Sequence, residues 1–448
     1  MKKIVAFLGA FIIIVFTGQL AQSQEKLTLT LQDSIRLALS QNPFHLASEE
    51  KVEGAKHKLR EAASSFFPSL NAQGVHTLDE KLFELEMPSL IPGQPPRRIA
   101  LDFTKDYQFS LSFSLPLFTS GRLTSNFKQA KYSLLSAEEA VRQSEHDTVF
   151  NTKKAFYGVL LAKELVKVAE EAVDVAEKHY KRVKNLYEVG MASKFDLLRS
   201  EVQVANLKPQ LIRAHNNLKV AELGLKTILG LDLSQPIEIK GELKYQPIEP
   251  DLEACLTKAL KNRPELLQLQ YQKQIAGEMV KMIRASNLPS LAVAGTYNIW
   301  ADKFNFKEKN WQSYYSVNLV LTVPLFNGFA TSARIAQSKA AIRELELNRK
   351  GLEETIRFEV RRAILNLKEA KESLLSQEKN VEQAQESLRI AELNYSEGLA
   401  TTLDVSSAQA ALSQAKINYS QALYDYVVAS AQLERAIATD IINTKDNL

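Results

Sequence analysis

Apolar residues recur in alternating steps of three and four along four stretches of the chain. On either side of residue 190 they are Val173, Ala176, Tyr180, Val183 and Tyr187, then Val204, Leu207, Leu211, Ala214, Leu218, Ala221, Leu225 and Ile228. The steps return at Val381, Ala384, Leu388, Ala391 and Tyr395, then at Leu412, Ala415, Tyr419, Ala422, Tyr426, Ala429, Leu433 and Ala436. Such heptad seams are typical of long helices that pack as coiled coils. The chain is therefore predicted to be mainly α-helical.

Glycines divide these helices into two hairpins. Gly190 and Gly398 can adopt the left-handed conformation that ends a helix, and a capping-box pattern begins three residues after each glycine. The two patterns are Ser193-x-x-Asp196 and Thr401-x-x-Asp404. We therefore expect short tips at residues 188–194 and 396–402.

Shorter segments alternate between apolar and polar residues, which is the period of a β-strand. They are residues 105–118, 290–301, 311–326 and, more weakly, 69–77. Aromatic side chains on one face and small polar ones on the other suit lipid and a wet lumen, although an ordinary antiparallel sheet with one solvated face has the same pattern. Four strands cannot close a spanning barrel, which needs about eight, so membrane-embedded strands would require several chains.

The sequence matches itself at an offset of 208 residues, since Pro116-Leu117-Phe118 falls on Pro324-Leu325-Phe326. Upstream, Asn42 matches Asn262 at an offset of 220 and Pro68 matches Pro289 at 221. The first copy therefore carries an insertion, and the proline-rich segment 86–98 is predicted to be a surface loop. The predicted organisation is a signal peptide (1–23), a first repeat that opens with a short helix (24–230), a linker (231–263), a second repeat (264–438) and a C-terminal tail (439–448).

Composition and charge narrow the function. Lys2 and Lys3, the apolar run 4–16 and the small residues near 21–23 form a secretory signal, so we expect an exported protein. The formal net charge is +4, or +2 once the two lysines are lost, and indicates no role with nucleic acid. Cys255 is the only cysteine and is expected to be a small buried apolar residue, so a disulfide framework is excluded.

Residues that carry chemistry are scattered. The six histidines lack metal-ligand spacing, and the 16 glycines form no phosphate-binding loop. Carboxylates on heptad helices are more often solvated or interhelical charges than an acid–base pair. We therefore predict no enzyme activity, no metal site and no cofactor.

The joint order of the doubling, the Pro-Leu-Phe junctions and the Tyr-x-x-Gly-x-Ala tips at Tyr187 and Tyr395 resembles the TolC-like outer-membrane efflux proteins over residues 27–438. The resemblance implies a homotrimer in which a shared 12-stranded transmembrane β-barrel continues into a long coiled-coil α-helical barrel, with residues 231–263 in an equatorial belt. It also implies an outer-membrane location extending into the periplasm. The implied function is a passive exit duct for efflux or secretion, with a periplasmic adaptor, an inner-membrane pump and outer-membrane lipid as partners.

The same resemblance assigns candidate site residues. The tips match adaptor-docking turns: Gly190, Met191, Ala192 and Ser193 with Gly398, Leu399, Ala400 and Thr401. Asp404 matches a periplasmic gate position, although Ser407 stands where relatives with an acidic gate have a second aspartate. Helix capping is the alternative role for Asp404. The strand–helix junctions are marked by Pro116, Gly121, Pro324 and Gly328.

Three other classes of protein compete with this interpretation. A periplasmic coiled-coil adaptor would have one long hairpin instead of two. A diffusion porin would have many more alternating strands, and a secreted structural helical protein would have none.

Overall fold

The computed structural model describes residues 26–78, 83–89, 91, 93–101, 106–304 and 311–439. The predicted signal peptide and residues 440–448 lie outside them. The helices are α1 (Leu31–Gln41), α2 (Pro43–Ser64), α3 (Arg122–Glu188), α4 (Lys194–Leu229), α5 (Leu252–Asn262), α6 (Pro264–Ala285), α7 (Ala330–Ser396) and α8 (Thr402–Ile437). The strands are β1 (Leu27–Leu29), β2 (Ser69–His76), β3 (Phe83–Met87), β4 (Arg97–Leu101), β5 (Tyr107–Phe118), β6 (Ile237–Ile239), β7 (Ser290–Ala301) and β8 (Gln312–Thr322).

The predicted duplication is confirmed by helices of equal length in the two repeats. α3 and α7 each have 67 residues, and α4 and α8 each have 36. The shorter helices match as well, since α1 and α5 have 11 residues and α2 and α6 have 22. At about 1.5 Å per residue, α3 and α7 are each roughly 100 Å long.

The predicted heptad seams are the less exposed faces of these helices. All eight seam positions from Val204 to Ile228 are buried or half-buried, and so are the eight equivalent positions from Leu412 to Ala436. The residues between them are mostly exposed on α4. The coiled-coil pattern therefore predicted the packed side of α4 correctly. On α8 most residues between the seam positions are also buried or half-buried, and Tyr187 of the predicted α3 seam is exposed.

The chain divides into two compact units, and each unit takes segments from both repeats. Of the described residues, unit 1 contains those in the segments 26–50, 139–266 and 350–439, and unit 2 contains those in the segments 51–138 and 267–349. Unit 1 has two apolar clusters that are counterparts under the 208-residue offset. Phe156 and Leu225 lie in the first cluster, and Ile364 and Leu433 hold the equivalent positions in the second. Cys255 is buried in the second cluster, as predicted.

Each return helix in unit 1 ends on a left-handed residue. After α4 it is Gly230, with φ of 71°, and after α8 it is Ala438, with φ of 51°. The two positions are equivalent under the duplication. A Cβ atom on Gly230 would clash with the backbone carbonyl oxygen of Gln41, which only a glycine avoids.

Unit 2 contains an antiparallel sheet of four strands in the order β2-β5-β7-β8. β5 and β7 are its central strands, and their ladder joins the first repeat to the second. Along the middle of the β5–β7 ladder the apolar positions lie opposite one another, as do the small polar ones: Leu111 lies opposite Tyr297 and Ser112 opposite Thr296.

Three details differ from the sequence-based expectations. β8 ends at Thr322, before Pro324, although a strand was predicted to residue 326. The segment 86–98 is not wholly a loop, because its ends belong to β3 and β4, which pair as a hairpin. Asn42 caps the end of α1 and Arg263 caps the end of α5, so Asn42 is equivalent to Arg263 instead of Asn262.

The strand–helix junctions each contain two successive left-handed residues. They are Ser120 and Gly121 before α3, and Gly328 and Phe329 before α7. The 208-residue offset aligns Ser120 with Gly328 and Gly121 with Phe329, so each repeat has its glycine at a different one of the two positions. Pro116 lies at a bulge in the β5–β7 ladder, whereas Pro324 follows the last residue of β8.

No helix within the described ranges is both long enough and apolar enough to cross a membrane.

Candidate functional site

The two hairpin tips have the same backbone geometry. At the first tip the amide of Gly190 donates to the carbonyl of Tyr187 over 3.0 Å, and the amide of Met191 donates to Leu186 over 2.8 Å. At the second tip Gly398 donates to Tyr395 over 3.2 Å, and Leu399 donates to Asn394 over 2.8 Å. This pair of bonds is the Schellman motif, which requires a left-handed residue, and φ is 78° at Gly190 and 74° at Gly398.

The motif presents an apolar side chain to solvent at each tip. Met191 is 77% exposed and Leu399 is 80% exposed. In a Schellman motif this residue commonly packs back on its own helix, so its exposure at both tips is unusual. The next residue at each tip, Ala192 or Ala400, is half-buried, and Ser193 and Thr401 are exposed. Met191 and Leu399 are therefore equivalent exposed apolar side chains, one at each tip, and are called the knobs below.

The next helix begins differently at each tip. Thr401 and Asp404 form a complete capping box: the Asp404 amide donates to the Thr401 hydroxyl oxygen, and the Asp404 carboxylate accepts from the Thr401 amide over 2.8 Å. At the first tip the Asp196 amide donates to the Ser193 hydroxyl oxygen, but the Asp196 carboxylate accepts from the Ser193 hydroxyl group instead of its amide. The capping box predicted at Ser193 is thus half formed.

The candidate gate residues lie on one exposed face of α8. Asp404 and Ser407 are one turn apart, and both are exposed. Hydrogen bonds from the hydroxyl group and the amide of Thr401 hold the pKa of Asp404 below its ordinary value, so this carboxylate is ionised at neutral pH. The cap explains the hydrogen bonds, and the exposed charge is compatible with a second role.

A cavity of about 160 Å³ lies in unit 1 where α3, α7 and α8 meet, and its lining residue Tyr395 precedes the tip glycine Gly398 by three residues. His179 of α3 is 8% exposed at this cavity, and its ring lies 5.4 Å from the ring of Tyr395 on α7. Its Nε2 atom has no hydrogen-bond partner among the described residues. The other charged and polar groups that line the cavity are Lys178, Arg182, Glu392 and Gln409.

Burial, followed by the nearby charge of Arg182, lowers the pKa of His179 below its ordinary value. The folded protein therefore keeps this imidazole neutral, whereas the unfolded chain binds a proton near pH 6.5. Because the unfolded state then binds more protons, His179 makes the fold less stable as the pH falls below about 6.5.

We expect His179→Gln to reduce this loss of stability on acidification, because the substitution removes the buried group that must stay neutral. The measurement is the apparent melting temperature by circular dichroism at pH 7.5 and pH 5.5. A residual acid effect remains in the variant, since burial also lowers the pKa of His146. His57→Gln, at an exposed position, controls for the loss of a histidine. An acid effect equal to that of the wild type would contradict the prediction.

A second apolar stripe runs along α4, beside the buried seam. It starts near the tip with Phe195, Leu198 and Val202, and continues to Ile212 and Val220, all of them exposed. The positions follow steps of three and four, with Ala205, Pro209 and Asn216 between them. No part of the chain that the structure describes covers this stripe, and its spacing is that of a coiled-coil contact.

Sequence reasoning missed both the buried histidine and the exposed stripe. His179 directly precedes Tyr180 of the predicted seam, and that neighbourhood was the available signal for its burial. The stripe could have been found by searching α4 for a second set of heptad positions. Within the described ranges, no group of three His, Cys, Asp or Glu side chains could hold a metal ion.

Comparison with known proteins gives a family match over both repeats. Residues 34–231 and 255–439 match the family model described as outer membrane efflux protein. Outer membrane protein TolC of Vibrio cholerae is 25% identical over 332 residues, which is 70% of this chain and 76% of that protein. The probable efflux pump outer membrane protein TtgC of Pseudomonas putida is 23% identical over 385 residues, covering 83% of this chain and 75% of that protein.

Solved structures share the fold. A structure of CusC has a TM-score of 0.73 at 18% identity, covering 92% of both chains. The outer-membrane channel CmeC of Campylobacter jejuni has a TM-score of 0.73 at 16% identity, covering 91% of this chain and 85% of that chain. The outer membrane protein VceC of Vibrio cholerae has a TM-score of 0.72 at 16% identity, covering 91% and 96%.

Proposed function

The chain belongs to the outer membrane efflux protein family, and we propose that three copies of it form a passive exit duct that is loaded by an inner-membrane pump. As a member it is an outer-membrane efflux channel, and its family is not an enzyme class. The observation that carries the proposal is the family match over both repeats of a chain that joins a four-stranded sheet to two 67-residue helices.

Two features of the single chain support association into a trimer. β2 and β8 each pair on one side only, and an unpaired strand edge within lipid would leave backbone groups unsatisfied. The exposed stripe of α4 offers a coiled-coil surface to a second copy. With four strands per chain, three copies would supply the twelve strands of one closed barrel. The periplasmic adaptor and structural-protein alternatives are not favoured by the family match.

The exposed knobs at the tips support docking to a periplasmic adaptor. Met191 and Leu399 are large apolar side chains held on tight turns, and burying them against a partner would remove their apolar surface from water. The Schellman turn already fixes the backbone at both tips, so little backbone conformational entropy is lost on binding. In this proposal the pump and adaptor supply the energy, and the chain itself carries out no chemical step.

Asp404 and Ser407 are proposed as part of a periplasmic constriction. Three copies would bring three exposed carboxylates to one level of the duct, and such a ring attracts cations. Asp404→Asn should then weaken block by divalent cations, because it removes the charge while the side-chain oxygen can still cap α8. Asp196→Asn is the control at the equivalent position of the first repeat. If divalent cations block the Asp404→Asn channel and the parent equally, Asp404 is not part of the constriction.

The central experiment measures the single-channel conductance of the detergent-purified protein in a planar lipid bilayer and its oligomeric mass on the same sample. We expect a trimer that inserts and conducts steadily. A monomer that neither inserts nor conducts would overturn the proposed duct. A conducting particle with another number of subunits would overturn the trimer alone.

We expect Leu399→Glu and Met191→Glu together to abolish crosslinking to the adaptor in the native host, since they place charges on the proposed apolar knobs. A photo-crosslinking residue at Ser193 reports the contact, and trimer mass and bilayer conductance should stay at the parental values. Leu365→Glu, at an exposed apolar position of α7 outside both the tips and the stripe of α4, is the matched control. Unchanged crosslinking in the double variant would contradict docking at the tips.

A further inference from the structure

The two edge strands of the four-stranded sheet, β2 and β8, are the repeat equivalents of β7 and β5, which pair with each other in the middle of the sheet. β2 and β8 are exposed along nearly their whole length, whereas most residues of β7 are half-buried between neighbours. β8 presents Tyr315, Val317, Leu319 and Leu321 as exposed apolar side chains. A strand with these properties is a ready template for pairing with another chain.

The duplication tells which residues of the strands are equivalent. β5 corresponds to β8 at an offset of 208, and β2 corresponds to β7 at an offset of 221. The ladders within each repeat agree with these offsets, because the pair Ser69–Ser114 becomes Ser290–Thr322, and both pairs are observed. Gly74 likewise falls on Gly295. The two repeats therefore use one register.

In the β5–β7 ladder, the second strand of the first repeat pairs with the first strand of the second repeat. β8 is the second strand of the second repeat, and β2 is the first strand of the first repeat, so β8 of one copy and β2 of a neighbouring copy could pair in the same way. We propose that β8 pairs antiparallel with β2 of the neighbouring copy in the register of the β5–β7 ladder, so that Val320 lies opposite Val75, Leu321 opposite Gly74 and Thr322 opposite Gln73. The proposal rests on the proposed trimeric duct and specifies how its copies join.

The faces of the strands agree with this register. Leu321 and Gly74 both belong to the apolar face of the sheet, and Thr322 and Gln73 both belong to the other face. A slip by one residue would place Leu321 on the level of Gln73 and mix the two faces. The small residue is also in the required place: Gly74 would receive Leu321 as Gly295 receives Phe113 within the chain.

The proposed pairing explains why β8 ends at Thr322, although a strand was predicted to residue 326. Residues 323–326 are equivalent to residues 115–118 of β5, which are strand because they pair with β7. In the single chain, β8 lacks that partner and ends at Thr322. On assembly these residues become strand opposite residues 70–72 of the next copy, with a bulge after Pro324 like the one after Pro116.

Paired cysteines test the register in the full chain, with Cys255→Ala as background. Directly opposed residues have Cβ atoms about 4.5–5.5 Å apart, and residues slipped by two are about 7–8 Å apart, so only the former readily form a disulfide. The test variant is Val75→Cys with Val320→Cys. Its matched control within one chain is Ser112→Cys with Thr296→Cys, the equivalent observed pair. Slipped variants combine Val320→Cys with Gln73→Cys or Thr77→Cys.

After mild oxidation we expect most chains of the test variant to run as covalent dimers and trimers on a denaturing gel, while both slipped variants remain monomers. Crosslinking of a slipped variant instead, or none between chains although the Ser112–Thr296 control closes, would overturn the register. Oligomeric mass and bilayer conductance, measured on the same samples, separate the two proposals: a conducting trimer with the wrong crosslink refutes only the register. A non-conducting monomer refutes the duct, and the register with it.

Discussion

Replacing Gly230 by alanine is expected to destabilise unit 1 by about 2–5 kcal/mol. A left-handed conformation costs a non-glycine residue about 1–2 kcal/mol, and forcing an extra methyl group into a packed site costs about 1–3 kcal/mol. The new Cβ atom would meet the carbonyl group of Gln41, whose carbon lies 2.9 Å from the ideal Cβ position. Since that neighbour is backbone at the end of α1, the first repeat must shift to make room.

The measurement is the apparent melting temperature of the detergent-solubilised protein, followed by helical circular dichroism. The duplication provides the control at the equivalent position, where Ala438 has φ of 51° and the buried methyl group is already accommodated. Ala438→Gly relieves the left-handed strain and adds freedom to the unfolded chain, so it should change stability by about 1 kcal/mol or less. Equal melting temperatures for Gly230→Ala and the wild type would show that Gln41 does not approach this closely.

Replacing Lys153 by methionine is expected to cost about 3–5 kcal/mol, because it breaks a buried ion pair by removing only one of its two partners. Lys153 Nζ lies 2.5 Å from Oε2 of Glu434, and the two side chains are 11% and 7% exposed. The pair joins α3 to α8 within unit 1, so its loss should also loosen the contact between the first and second hairpins there.

The double variant Lys153→Met with Glu434→Leu should recover most of that loss, since apolar residues of similar size often replace a buried ion pair without cost. Urea denaturation of the single and double variants measures the coupling between the two sites. Lys208→Met, which breaks the exposed pair with Glu177, should have little effect. A double variant that is less stable than Lys153→Met would mean that Glu434 stabilises the fold through its other contacts.

Much of this fold could be predicted because its pattern is long and repeated. Each seam contains five or eight positions at one regular heptad spacing, and the second repeat shows the same spacing at the equivalent positions. Gly190 and Gly398 marked the tips because the Schellman turn requires a left-handed residue, for which few side chains are suited. The central strands were visible for the same reason, since alternation from Tyr107 to Leu115 is nearly unbroken.

Features that depend on a neighbour were not predictable from one segment. The end of β8 depends on a strand that no local pattern contains, and the burial of His179 depends on where α7 passes. The two successive left-handed residues at each strand–helix junction were not recognised from the sequence. Gly121 is the second residue of its pair, whereas Gly328 is the first of its pair, so the glycines do not align between the repeats. The hairpin of β3 and β4 was obscured by the prolines between its strands.

The equal helix lengths of the two repeats restrict how the gene can change. Deleting one residue from α3 would turn every later seam position by about 100° around the helix axis and take the seam off its partners. A deletion of seven residues would keep the phase, but α3 would then be shorter than α7, so inherited length changes are expected in both copies together. The thirteen residues by which the first repeat exceeds the second between the Pro68 and Pro116 equivalents lie outside the long helices. Natural length variation among relatives should therefore concentrate in the β2–β5 connection and be rare in α3, α4, α7 and α8.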